Sequence, residues 1–549
     1  RYARVTGVQT CALPICLCKN YVKICSNDDQ SKELVTINRK TLQQVNESVS
    51  EEIIEEVQFH FLLGAYEVDG LTYIAAATKV ESVTSFWNIQ KVSGYRVFQL
   101  NEVEKSNKSV ENLVINGLSL TPLFYSDTND LTLLLQSQAK GETNSRSIFV
   151  WNNKPLIALE KIFGANQFSK KIIAGFVDSF ETKELKFVLI SRKSNVRAGS
   201  RFWMRGADEN GYTANYIETE QIVIIGDKSY SYAQIRGSIP VVWSQCPDLT
   251  RTPKIVLGPE EESKVAFENH FKKLTEEYGN VIAVSLTNNR GIEKPLTDIY
   301  EKLSNQNKDI LSYYYFDFHH ECSKMRFYNI NKLIEKIQDK LDSIGYCFVD
   351  NGKLIKEQTG VLRSNCIDCL DRTGVLQSTV AQVVLQKQLK ENNINYDFDT
   401  QYRNIWTDNA DEASIQYSGT PALKTDFTRT GKRTLTGALN DGKNSIERYY
   451  INTCLDGTRQ DEFDVVTQDV KCEKYQKGND PLSVIFLFIY TLLLFLFALI
   501  TKGKKVAVQV KKQNGVKSVN KPSFRKIKDY SIEQRSEERR VGKECRSRW

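Results

Sequence analysis

Histidine is scarce in this chain of 549 residues: His60, His270, His319 and His320 make up the whole set of four, and none of them forms a metal-binding helix motif. A metalloenzyme is therefore unsupported by the sequence, and no metal or cofactor is expected. Regular cysteine spacing is lacking as well. The twelve cysteines are scattered, with Cys11 and Cys545 close to the ends, so they do not outline a disulfide framework and point to a reducing compartment. No zinc-finger or RNA-module signature occurs, and no N-terminal signal peptide is visible, which leaves the bulk of the chain in the cytosol.

Positive charge is missing from the body of the chain, although the formal net charge is +7. Residues 1–15 and 535–549 resemble conceptual translation of sequencing-adapter DNA and are set aside, which lowers the balance to +2 over 16–534. Residues 502–534 hold ten Lys or Arg against Asp529 and Glu533, so residues 16–501 are left at −6. A net-acidic body argues against nucleic acid as a partner, since such proteins carry a basic face on the folded domain. With 41% hydrophobic and 26% charged residues, the chain can bury a sizeable core across roughly two to four domains.

From Glu51 to Leu135 short apolar runs such as Phe59–Leu63 and Leu131–Leu135 are broken by Gly, Asn and Ser, which reads as strands. A polar segment from Ser137 to Ser147 follows, and beyond it strand-like and helical stretches alternate to about Asp461. The expected organisation is a β-rich unit over 16–145, an α/β unit over 146–465, and a lysine-rich linker over 466–481. Residues 482–500 carry no charge and, as a helix, would extend about 28 Å, enough to cross a bilayer. A basic tail occupies 501–534. The positive-inside rule places that tail in the cytosol together with the large domain, which a single crossing cannot satisfy. A second segment, a re-entrant one, or a revised assignment would resolve it.

The chemistry concentrates in Gly360-Val361-Leu362-Arg363-Ser364-Asn365-Cys366-Ile367-Asp368-Cys369-Leu370-Asp371-Arg372-Thr373-Gly374. Cys, five residues, then Arg-Thr is a weak match taken alone. Context strengthens it: Val361-Leu362 is β-prone, and Leu376, Val380, Val383 and Val384 repeat at helical spacing behind the Arg. A loop between strand and helix aims backbone N–H groups at one point, where an anion sits well. There a Cys366 thiolate would be the nucleophile, activated by the helix N-terminus and a nearby guanidinium. Arg372 would fork onto phosphate oxygens in a way that lysine cannot match, with the amides of Ile367, Cys369, Leu370 and Gly374 taking the rest. The Thr373 hydroxyl is placed to bond the departing sulfur. Asp368 and Asp371 are the nearest proton carriers, and Asp368 is favoured as general acid. Competing readings of Cys366 and Cys369 are a redox Cys-x-x-Cys pair, half a zinc site, or two buried structural cysteines; no second such pair occurs to complete a zinc site.

The loop resembles the signature of the Sac (suppressor-of-actin) phosphoinositide phosphatases, and the resemblance extends in order from about Glu51 to Asp461. It is carried by Leu189–Ser194, Arg197–Arg201, Arg205-Gly206, Ala214–Gln221, Gln234–Pro240, Trp243–Gln245, Phe316–Cys322, Gln416–Thr420 and Leu423–Arg433. The resemblance implies a β-rich N-terminal subdomain, an α/β catalytic domain bearing the Cys-x5-Arg phosphate loop, and a phosphoinositide lipid in a membrane as substrate. The apolar run fits the endoplasmic reticulum and Golgi branch, which has a C-terminal membrane anchor, faces its catalytic domain to the cytosol and prefers phosphatidylinositol 4-phosphate. Two departures stand out. Gly374 occupies a position where the family more often has Asn, and one apolar segment appears where that branch usually has two.

Lys424, Arg429, Lys432 and Arg433 form a cationic cluster suited to an anionic headgroup or bilayer surface, or to ordinary surface ion pairs. Tyr313–Phe316 reads as a core strand, and His319 and His320 as structural residues at its end beside Glu321. The expected activity is hydrolysis of the 4-phosphate through a cysteinyl-phosphate. Broader phosphoinositide or inositol-phosphate hydrolysis, or a catalytically silent lipid-binding adaptor, are the alternatives.

Overall fold

The computed structural model describes residues 13–25, 33–46, 49–101, 108–164, 168–246, 253–323, 326–432 and 434–467. The apolar run 482–500, the basic tail, the stretch 535–549 and Arg433 lie outside these residues. Among the described residues no helix is long and apolar enough to cross a membrane.

Alternating apolar residues build a first, five-stranded antiparallel sheet from Leu13–Cys18, Tyr21–Cys25, Glu33–Asn38, Gln43–Val45 and Ile53–Phe59. Ile15, Val22, Ile24, Val35 and Ile37 face inward together and pack on Leu62, Ile74 and Phe98 of a second sheet and on Leu159 and Phe163 of the helix Asn153–Phe163. The first strand begins at Leu13, and Ile15 is buried in it, so the stretch set aside at the N-terminus reaches into the fold by three residues.

The second sheet has thirteen strands. Its N-terminal part is an antiparallel meander through Phe61–Val68, Leu71–Thr84, Ile89–Gln99 and Leu123–Tyr125. The pairing of Ile173 with Phe124 then joins it to Ile173–Glu181, Lys186–Lys193, Ile217–Ile225 and Lys228–Arg236. The sheet therefore runs on past Ser145, which lies in an irregular stretch between its strands. The two halves are also joined through the helix Asp456–Thr467, which packs on the helix Lys108–Ser119 at Gly117. A Cβ there would come within 2.5 Å of the Glu462 carbonyl, so only glycine permits the approach.

At its other end the sheet turns parallel. Gly360–Asn365 lies between Lys228–Arg236 and Asn280–Ser285, with Leu362 opposite both Gln234 and Ile282, and Leu311–Tyr315 forms the edge. Every residue of Gly360–Asn365 is buried, as expected of a parallel strand covered on both faces. Val281, Ala283 and Val361 point to a layer containing Phe267, Phe271, Leu296 and Tyr300. Ile282, Val284 and Leu362 point to the opposite layer, with Leu333, Ile337, Leu376, Val380 and Trp406. Each such aliphatic side chain contributes about 1.5–3 kcal/mol on burial. The helix Asp371–Glu391 buries Leu376, Val380 and Val384 on the face that their spacing foretold, with Val383 packed partly against the core.

Tyr313, Tyr314 and Tyr315 belong to the half-buried edge strand rather than to a fully buried one. His319 and His320 do not end it. They sit exposed on the one-turn helix Phe318–Glu321, where His320 Nδ1 lies 3.3 Å from Glu321.

Candidate active site

Ligands of open α/β sheets gather at the carboxyl ends of parallel strands. Here the strand Gly360–Asn365 delivers Cys366 to that edge, and Asp371 opens the helix behind it. The strand end is fixed from below by Arg363, whose buried guanidinium donates to Asn365 Oδ1 at 2.6 Å and to the Ser238 carbonyl. Between strand and helix the chain turns sharply, with Cys369 in the left-handed region at φ 53°.

Cys366 is 2% exposed, and its sulfur is bracketed by the turn. The Cys369 N–H donates to Sγ at 3.0 Å and the Thr373 hydroxyl at 3.6 Å. Burial alone would push the thiol up, but the hydrogen bond from the Cys369 side chain and the charge of Arg372 outweigh burial and the Asp368 carboxylate, bringing it down to about 6. Cys369 moves the other way. Buried and bonded to Cys366, with its Sγ 2.8 Å from the Gly237 carbonyl oxygen, it is held well above the usual thiol range.

Asp368 does not fit the part of general acid. Arg201 forks onto it, Nε to Oδ1 at 2.9 Å and Nη2 to Oδ2 at 2.7 Å, and Arg205 Nη2 adds a third bond to Oδ1 at 2.7 Å. Burial would raise its pKa, but the two guanidiniums hold the carboxyl well below the usual carboxylate range, so it keeps no proton to give. Its place is that of a hook. Arg205 also donates to the Ile367 carbonyl at 3.0 Å and Asn215 Nδ2 to the Asp368 carbonyl at 3.2 Å, tying the whole turn to the segment after Lys193. Asp371 Oδ1 accepts from the Leu423 N–H at 2.9 Å and so joins the loop to the chain leading into 424–432.

Arg372 lies close enough to Cys366 for the sulfur's charge to raise its pKa against the effect of burial. Its fork, however, closes on Glu293, at 3.0 Å to Oε2 and 2.9 Å to Oε1, with further bonds from Nη1 to the Leu286 carbonyl at 3.0 Å and to Asn288 Oδ1 at 3.3 Å. A second guanidinium sits below. Arg236, at the end of its strand opposite Ser364, is buried and donates Nε to Gln377 Oε1 at 2.8 Å. Its two terminal nitrogens have no hydrogen-bond partner among the described residues. Burial lowers its pKa to about 10, opposed by the sulfurs of Cys369 and Cys366.

Of the nine loop positions expected from the sequence, Cys366 to Leu370 form the turn and Asp371 to Gly374 the first turn of the helix behind it, where the Gly374 N–H donates to the Leu370 carbonyl at 2.8 Å and is not directed at the sulfur. The basic cluster does not behave as one group. Arg429 is drawn away to Asp408 at 2.6 Å and Asp411 at 3.2 Å, so it braces the helix Asp399–Ser418 instead of facing a headgroup. Lys424 and Lys432 are exposed, and Arg433 lies outside the described residues. Arg201, Arg205, Asn215, Arg236 and Glu293 were not foreseen as site residues. A signal existed for the first two, since Arg197, Arg201 and Arg205 recur at short intervals in a polar loop directly after a strand.

Comparison with known proteins follows the same line. The SacI homology domain matches residues 60–323, ending before Cys366. The phosphoinositide phosphatase SAC7 of Arabidopsis thaliana is 37% identical over 468 residues, covering 79% of this chain and 78% of its own. The phosphatidylinositol-3-phosphatase SAC1 of Saccharomyces cerevisiae is 36% identical over 462 residues, covering 75% of this chain and 72% of its own. The phosphatidylinositol-3-phosphatase SAC1-A of Danio rerio is 37% identical over 394 residues, with 67% of each chain covered.

Proposed function

The chain belongs to the Sac-domain phosphoinositide phosphatases, and from that premise we propose that it hydrolyses phosphatidylinositol 4-phosphate to phosphatidylinositol through a cysteinyl-phosphate on Cys366. One observation carries the mechanism: a buried sulfur at the mouth of a helix, met by the Cys369 amide and the Thr373 hydroxyl, whose thiol is lowered to about 6. In the first step the thiolate attacks phosphorus, the bond to the inositol oxygen breaks, and that oxygen takes up a proton. Asp371 is the loop carboxyl not locked between guanidiniums, and the reading assigns proton delivery to it. Arg372 exchanges Glu293 for the phosphoryl oxygens, since both partners offer the same two-oxygen fork. Water then gives a proton to the Asp371 carboxylate as its oxygen bonds to phosphorus, and the phosphorus–sulfur bond breaks with the sulfur leaving as thiolate, bonded by Thr373.

The 4-phosphate is supported by resemblance to the anchored endoplasmic reticulum and Golgi branch. A second reading, removal of a 3-phosphate, draws on the names of the SAC1 relatives, phosphatidylinositol-3-phosphatases. Residues 482–500 are proposed as the anchor in an endoplasmic reticulum or Golgi membrane, after a β-rich unit over 16–145 and a catalytic unit over 146–465. Phosphate release from a panel of singly phosphorylated phosphatidylinositols in vesicles, with and without chelator, tests substrate and mechanism together. The expected result is preference for the 4-phosphate, unaffected by chelation. Preference for the 3-phosphate would replace the substrate, and loss of turnover under chelation would replace the mechanism.

The thiol itself gives a pH signature. A lowered pKa means thiolate above, and thiol below, a midpoint near 6. Alkylation of Cys366 by iodoacetamide, followed by mass spectrometry, is expected to rise with pH and level off above that midpoint. A midpoint near the ordinary 9.0 would mean that Cys366 is not an activated nucleophile.

A further inference from the structure

The helix Leu435–Tyr450 is built the wrong way round for a globular protein. A surface helix normally turns its apolar stripe inward. Here Leu435, Leu439, Gly442 and Ile446 fall within about 60° of one another at 100° per residue. That stripe faces solvent: Leu435 is 79% exposed, Leu439 67% and Ile446 37%. The side packed on the body is the polar one, with Gly437 and Arg448 the buried residues of the helix.

The helix is nevertheless firmly held. At its start the Thr434 hydroxyl accepts the Gly437 N–H at 2.9 Å, while Asp426 accepts from the Thr434 N–H at 2.8 Å and hydroxyl at 3.0 Å. Asp441 accepts from the Lys424 N–H at 3.0 Å. Near its end Arg448 donates to Thr420 Oγ1 at 2.8 Å, Ser414 Oγ at 3.1 Å and the Pro421 carbonyl at 2.6 Å. The same segment bonds Asp371 through Leu423, one residue before Arg372. A rigid apolar ridge thus stands beside the catalytic loop.

We infer that this ridge is a membrane-docking face, seating Leu435, Leu439 and Ile446 in the anionic headgroup layer of the bilayer that carries the substrate. Charge complementarity selects that occupant. Lys424, Lys432 and Lys443 are exposed on or next to the helix, and in a body of net negative charge such a local excess of cations beside an apolar stripe matches an anionic lipid surface. Chain length agrees. The uncharged run starts at Leu482, within roughly 50 Å of extended chain from Thr467, so the body cannot stand far from a bilayer entered there. The inference rests on the lipid being the substrate and is independent of which phosphate is removed.

The test uses the full chain reconstituted into phosphatidylcholine vesicles with or without phosphatidylserine. The tryptophan introduced by Leu439→Trp is expected to emit further to the blue, and to be quenched by brominated phosphatidylcholine, when phosphatidylserine is present. The double variant Leu435→Glu/Leu439→Glu is expected to lose about tenfold of its turnover on vesicle-borne phosphoinositide, and to stay within about twofold of wild type on a short-chain, water-soluble one. Absence of quenching overturns the inference, and so does an equal loss on both substrates. Blue-shifted emission that brominated lipid leaves unquenched overturns it too, and would place the ridge against protein, in this assay a copy of this same chain. A wild type that turns over neither substrate would sink the catalytic reading, while the quenching result would still decide the docking face.

Discussion

Cys366→Ser is expected to abolish phosphate release, by roughly 10⁴-fold or more, while leaving the fold and lipid binding in place. With its thiol lowered to about 6, Cys366 favours the thiolate at pH 7. A serine hydroxyl at the same point stays protonated, and no base stands by to ionise it: the groups on the sulfur are the Cys369 amide and side chain and the Thr373 hydroxyl, all donors. The same bonds would hold a serine oxygen, and the exchange changes little volume. Stability should therefore move by no more than about 1 kcal/mol. Phosphate release from vesicles, read beside vesicle binding and thermal melting, checks all three. Wild-type binding with no wild-type release would favour the silent adaptor, and release persisting in Cys366→Ser would move the nucleophile elsewhere.

What could be read from the sequence was what is local in it. Cys366 to Gly374 lie within nine residues, and the helix behind them announces itself by the spacing of Leu376, Val380 and Val384, so both the loop and its setting between strand and helix were legible. The partners of that loop were not. Arg201 and Arg205 precede Asp368 by more than 160 residues, and nothing in their neighbourhood says that two guanidiniums will close on one carboxylate. Seen alone, Asp368 is an acid two residues from a nucleophile; seen with them, it is an anchor. Arg429 shows the converse error. Among Lys424, Lys432 and Arg433 it reads as part of a cationic surface, yet Asp408 and Asp411, three apart on the preceding helix, neutralise it. A pattern search for acids at helical spacing would have found that pair. The outward stripe of the helix Leu435–Tyr450 was hidden for another reason: periodicity shows that a helix has an apolar face and is silent on which way it points.

Arg205→Met should cost about 3 kcal/mol of stability and most of the turnover, although the residue need never touch substrate. Arg205 is 3% exposed, and its guanidinium lies 5.0 Å from the centre of the Trp243 ring. It donates to Asp368 Oδ1, the Ile367 carbonyl and Gln245 Oε1, at 2.7, 3.0 and 2.7 Å. Methionine replaces the apolar stem but not the guanidinium, so the loss comes mainly from groups left without a donor, with a small void added where the guanidinium stood. Breaking a buried ion pair from one side typically costs about 3–5 kcal/mol. Asp368 keeps both bonds from Arg201, which is why the lower end applies here. Turnover falls because Ile367 and Asp368 follow Cys366 directly, and unhooking them loosens the turn that presents the Cys369 amide to the sulfur. Asp368→Asn supplies the control. If the carboxylate is a hook, Arg205→Met and Asp368→Asn remove one shared interaction, and urea denaturation of the double variant will show a loss well below the sum of the singles. Losses that simply add would mean that Arg205 steadies the fold through the Ile367 carbonyl, Gln245 and Trp243 rather than through Asp368, and would free Asp368 for chemistry.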